Sequence, residues 1–74
     1  MSIDLSDIQS ALKTISSYSE IDLSEDTPLK EFGIDSLDMF EFISILEDQT
    51  GKKVNDEMFS NFNTTGDIIS FFNE

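Results

Sequence analysis

No cysteine occurs in this chain, and in 74 residues that absence removes the two staples small folds lean on, the disulfide and the thiolate-held metal. A chain this short buries only about 60% of the surface its unfolded form exposes. Its stability must come from locally favoured elements packed on one small core, and helices meet that need. The length predicts a single domain over residues 1–74.

The apolar spacing agrees. Leu5, Ile8, Leu12 and Ile15 recur at intervals of three and four, which puts them on one helical face. They predict a first helix whose start is open between Ser2, Asp4 and Ser6, the last forming a capping box with Gln9. Ser16-Ser17-Tyr18-Ser19 is poor helix material and predicts its end. Residues 18–35 read as a long connection pinned by Ile21, Leu23, Leu29, Phe32 and Ile34. Within it, Thr27-Pro28 opens a helical turn that Gly33 closes.

A second helix is predicted from about Ser36 to Thr50, capped by Asp35 and stopped by Gly51. Turning positions by about 100° each puts Met39, Phe42, Ile43 and Leu46 on one side. Leu37, Phe40, Glu41, Ser44, Glu47 and Asp48 fall on the other, with Asp38 and Ile45 between. A short third helix over Asn55 to Ser60 is expected to carry Met58, Phe59 and Phe62 inward and to be the least stable. Thr64 with Asp67 caps a final helix whose apolar side is Ile68, Ile69 and Phe72, flanked by Phe71. Strand-like alternation and internal repeats are absent, so the predicted fold is all-α, a small four-helix bundle with a long loop between its first two helices.

Charge narrows the function. Sixteen acidic residues stand against four lysines, with no arginine and no histidine, for a formal net charge of -12. That field repels phosphate backbones and anionic membranes and speeds encounter with basic patches on protein partners. Neither nucleic acid nor membrane is an expected partner. Without histidine or cysteine the usual nucleophile and base pairings are unavailable, so no catalytic residue is predicted and the chain reads as a non-enzyme. No EF-hand spacing of aspartates and glycine occurs, and no metal is expected. With no basic-then-apolar leader at the N-terminus and no apolar run near the roughly 18 residues of a span, a cytoplasmic monomer is expected.

Three features converge on the second helix. Gly33-Ile34-Asp35-Ser36-Leu37 sets a serine at a helix start after a glycine turn, where its hydroxyl is displayed and an attached anion would meet free N–H groups. Leu37 and Phe40 then stand on the outward face among Asp38, Glu41, Glu47 and Asp48, an apolar patch with a charged rim. Between Lys30 and Lys52 no basic residue occurs, which focuses the negative field on this helix. Each feature alone has a plain reading: Asp-Ser at a helix start is common capping chemistry, Phe40 turns inward if the helix is rotated, and an acidic run is a solvated face.

Together, Leu29-Lys30-Glu31-Phe32-Gly33-Ile34-Asp35-Ser36-Leu37-Asp38, the acidic second helix, and Val54-Asn55-Asp56-Glu57 entering a short third helix resemble the acyl carrier protein family. The resemblance extends over nearly the whole chain. It implies a stand-alone carrier of three main helices and one short one. In the family, the serine at the position of Ser36 attacks the β-phosphate of coenzyme A with Mg²⁺ assistance under a phosphopantetheinyl transferase. 3′,5′-ADP leaves, and a covalent 4′-phosphopantetheine arm ending in a thiol remains, which fits a chain with no thiol of its own. By the same resemblance Asp35 and Asp38 engage the transferase, and Leu37, Phe40, Glu41, Ser44, Glu47 and Asp48 belong to the partner-recognition face. The implied partners are that transferase and a loading ligase, acyltransferase or ketosynthase with a basic docking patch, in a fatty-acid, polyketide or related pathway. Ser44 stands where these carriers usually place a larger apolar residue, Asn55 replaces a frequent proline, and the expected interior is rich in phenylalanine. Those departures predict a dedicated pathway with a short, polar or aminoacyl cargo. The reading from another class is an acidic helical interaction module that never bears an arm, and the displayed Ser36 is what such a module has no use for.

Overall fold

The computed structural model describes residues 2–16 and 18–74. Four α-helices follow one another: α1 over Leu5–Lys13, α2 over Ser36–Thr50, α3 over Asp56–Ser60 and α4 over Thr65–Phe72, with a 3-10 turn at Leu29–Phe32. Among the described residues there is no strand, only an isolated bridge between Pro28 and Thr64.

Capping explains most of these boundaries. The Asp4 carboxylate accepts from the Asp7 N–H at 3.2 Å and the Asp7 carboxylate accepts from the Asp4 N–H at 3.0 Å, so the capping box forms there and not at Ser2 or Ser6. A helix start left without such acceptors has orphaned N–H groups, and a local carboxylate three residues away supplies two acceptors at once. α1 stops at Lys13, short of the expected reach to Ile15. Ile15 is carried into the core by the turn that follows, its N–H donating to Leu12 O at 2.9 Å. Of the expected stop sequence, Ser17 lies outside the described residues.

The core joins three helices and the long connection. Ile8 and Leu12 of α1 meet Phe42 and Leu46 of α2 and Ile68 of α4, with Phe32 of the 3-10 turn beside them, and all are essentially solvent-free. Ser36, Asp35 and Gly51 set α2 as the sequence predicts: Asp35 Oδ1 accepts from Asp38 N–H at 2.9 Å, and Gly51 takes φ 77°, a left-handed stop that glycine adopts without a Cβ clash. The long connection is tied to α4 by Thr27, whose carbonyl accepts from Thr65 N–H at 3.0 Å and from Thr65 Oγ1 at 3.2 Å.

Met58 corrects one expectation. It is 40% exposed instead of pointing inward, and α3 contributes no fully buried residue. A helix of five residues has little more than one turn, so only one narrow side can face the core, and Phe59 takes it.

Candidate functional site

The turn before α2 is built to deliver one residue. Pro28 is extended at φ -66°, the 3-10 turn follows, and Gly33 reverses the chain at φ 71°. Asp35 then caps α2 through its side chain, which leaves Ser36 as the first helical residue. Ser36 is exposed, and its hydroxyl makes no hydrogen bond among the described residues. The N–H groups of Ser36 and Leu37 likewise donate to no protein acceptor among the described residues. The positive end of the α2 dipole therefore opens beside a free hydroxyl, a setting that stabilises a nearby anion by about 0.3–1 kcal/mol at an exposed position.

Ser36 stands on the rim of a cleft of about 410 Å³. Its walls are Leu29 and Ile34 from the long connection, Met39 and Phe40 from α2, and Phe59 and Phe62 from α3 and the turn after it. Lys30, Asp35 and Ser60 add polar groups at the edge. Phe40 and Phe59 face each other with ring centroids 5.5 Å apart, and Phe59 meets Phe62 edge-on at 6.2 Å. Beneath the cleft the interior is filled: the rings of Phe32 and Phe42 are perpendicular with centroids 5.8 Å apart, and neither ring sees solvent.

The other residues singled out on α2 fall in three settings. Leu37 is 79% exposed and Phe40 53% exposed, so the helix is not rotated to bury Phe40, although one side of that ring is covered by Phe59. Glu41, Ser44 and Asp48 are exposed along the same outward side, and Asp35 is exposed at its head. Asp38 is half-buried in the first turn. Glu47 is also half-buried, and its carboxylate accepts from Val54 N–H at 2.7 Å, which binds it to the connection between α2 and α3.

Sequence reasoning did not single out the cleft itself. Phe59 and Phe62 face inward as expected, packed against the core, and they also line the cleft that Ser36 lines. The available signal was their three-residue spacing across the end of a short helix, together with a phenylalanine on the nominally polar side of α2.

The sequence pattern that defines phosphopantetheine attachment sites matches residues 6–72. The chain belongs to the phosphopantetheine attachment site family. The fold agrees: the solution structure of the acetyl actinorhodin acyl carrier protein from Streptomyces coelicolor superposes with a TM-score of 0.75. The two are 24% identical, and the match covers 96% of this chain and 87% of that one. Membership brings a covalently attached 4′-phosphopantetheine prosthetic group. The residues present fit such a group, because a displayed hydroxyl, unspent helix N–H groups and a long apolar cleft lie side by side. No helix among the described residues is long and apolar enough to cross a membrane.

Proposed function

We propose that Ser36 is the residue that bears the 4′-phosphopantetheine arm, and that the chain is an acyl carrier that hands a bound intermediate from one enzyme to the next. The observation that carries this reading is the unengaged hydroxyl of Ser36 at the open N-terminus of α2, on the rim of the apolar cleft. When attached, the group supplies a terminal thiol that holds cargo as a thioester. The protein's own residues contribute presentation: Gly33 turns the chain, Asp35 fixes the first turn of α2, and the unspent N–H groups favour the negative charge of a phosphodiester. The chain acts as a shuttle and not as a catalyst.

The partner face in this reading is the outward side of α2, with Leu37 and Phe40 as apolar anchors and Asp35, Asp38, Glu41, Ser44 and Asp48 around them. Exposed apolar residues ringed by carboxylates suit enzymes with a basic rim around an apolar socket, the transferase and the loading and condensing enzymes among them. Glu47 belongs to this face by position, with its carboxylate engaged by Val54.

The cargo is short, polar or aminoacyl, in a dedicated pathway. The packed rings of Phe32 and Phe42 support this, since a long alkyl chain would have to displace fully buried side chains to enter the interior. Incubation with coenzyme A, Mg²⁺ and a broad-specificity phosphopantetheinyl transferase should add the mass of one arm to the wild type and nothing to Ser36→Ala. Equal labelling of the alanine variant would remove Ser36 from the account. For the cargo, broad movement of core NMR resonances in decanoyl-loaded protein relative to apo-protein would contradict the short-cargo reading.

A further inference from the structure

Lys30 lines the same cleft as Ser36. Two of the four lysines are paired, Lys13 with Glu20 at 3.5 Å and Lys52 with Glu74 at 3.9 Å. Lys30 is exposed and, like Lys53, pairs with no carboxylate among the described residues. It is also the cation that shares the cleft with Ser36. The 3-10 turn at Leu29–Phe32 holds it there, and Gly33 folds the chain back so that the lysine and the serine line one cavity.

A phosphodiester on Ser36 would add negative charge to a helix start that already carries Asp35 and Asp38. The α2 dipole offsets part of that repulsion, but Asp35 already occupies the Asp38 N–H. The Lys30 ammonium, which lines the same cleft as Ser36, offers further compensation from the cleft side. We propose that Lys30 pairs with the phosphodiester of the arm and so directs the arm into the cleft between Leu29, Ile34, Phe40, Phe59 and Phe62, away from the outward face of α2. This rests on the reading of Ser36 as the attachment residue. Lys30 is then a positioning residue that keeps the docking side of α2 clear while the arm is at rest. An exposed ion pair of this kind is weak and is screened by salt, which makes it a reversible rest and not a lock.

The test uses ³¹P and ¹⁵N NMR on apo- and arm-bearing protein for the wild type, Lys30→Gln, Lys30→Arg and, as a charge-matched control, Lys53→Gln, which lies outside the cleft. Intact mass first establishes that each carries one arm, and the apo spectra establish that each is folded. The expected result at low salt is a common ³¹P shift for wild type, Lys30→Arg and Lys53→Gln, with attachment moving the amide signals of Leu29 to Gly33. Lys30→Gln should show a displaced ³¹P shift and lose those amide movements. Raising salt to about 1 M, where the screening length falls to about 3 Å, should bring the wild type to the Lys30→Gln pattern. Identical ³¹P and amide patterns in wild type and Lys30→Gln at low salt would overturn the proposal, as would equal effects from Lys30→Gln and Lys53→Gln. A wild type that accepts no arm on Ser36 would instead defeat the attachment reading, and this inference with it.

Discussion

The carboxylate of Glu47 is hydrogen-bonded to the backbone N–H of Val54 at 2.7 Å, joining the last turn of α2 to the chain that leads into α3. The same connection is also held by Lys52, whose Nζ donates to Phe71 O at 2.9 Å, and by Val54 packed against the core. Glu47→Ala should therefore destabilise the fold by roughly 1–2 kcal/mol, because a charge-assisted bond is lost and an N–H is left without its acceptor. Glu47→Gln keeps an acceptor oxygen and should lose less. Urea unfolding gives both values, and faster hydrogen exchange at the Val54 amide in the alanine variant identifies the cause. An unchanged midpoint in Glu47→Ala would mean the bond contributes nothing in solution.

Phe40 stands on the outward side of α2 yet rests on Phe59 of α3. α3 has no fully buried residue, so this ring contact is one of its main attachments. Phe40→Ala should cost about 0.5–1.5 kcal/mol beyond the loss of the apolar area the ring buries, with Phe40→Leu between. The loss should appear locally, as raised hydrogen exchange in Asp56–Ser60 before any change in α1. Uniform exchange across the molecule would contradict the assignment.

Gly33 is required by backbone conformation and not by space. Its φ is 71°, and a Cβ added there would meet nothing within 4 Å. Gly33→Ala should cost roughly 1–2 kcal/mol for holding an L-residue in the left-handed region, and Gly33→Asn less, since asparagine tolerates that region. Thermal unfolding of the three proteins orders them; alanine as stable as glycine would contradict the turn geometry.

Much of this arrangement was legible in the sequence, and the parts that were not share a cause. α2 was readable at both ends because Asp35 and Gly51 are local signals whose chemistry depends on neighbours within a turn. The end of α1 was misread because Ile15 continues the helical period while the chain has already left the helix, and periodicity does not distinguish a buried turn from a last helical turn. Met58 was misplaced because one turn of helix offers too few positions for a period to show. The Thr27 to Thr65 link and the Glu47 to Val54 bond had no signature at all, since each joins segments whose approach is set by the packed core. For the same reason the cleft wall made by Phe59 and Phe62 appeared only when α3 was placed against Ser36 and Phe40.

Asp67 links α4 to pH. Its carboxylate accepts from Asn63 N–H at 2.8 Å and Thr64 N–H at 3.0 Å, and these backbone bonds hold its pKa below the ordinary value, against a smaller opposing effect of burial. A depressed folded pKa contributes stability that is present above the unfolded carboxylate value and lost as pH falls through the folded one. Asp67→Asn should therefore be less stable than wild type at neutral pH. The gap should close below the usual aspartate range as acid protonates the wild type, in denaturant titrations carried down to about pH 2. The difference between the two proteins is the quantity to follow, because relief of repulsion among the other carboxylates affects both alike. A gap that persists in acid would show that the bonds do not depend on charge.

The proposed attachment rests on one oxygen atom at the head of α2, the hydroxyl of Ser36. Its most direct test is fragmentation mass spectrometry of the protein purified from its own host, reading which residue carries the 4′-phosphopantetheine. The mass is predicted on Ser36 and nowhere else. Its presence on another serine, such as Ser10, Ser44 or Ser60, or a fully unmodified Ser36 in a host that modifies its other carriers, would contradict the assignment.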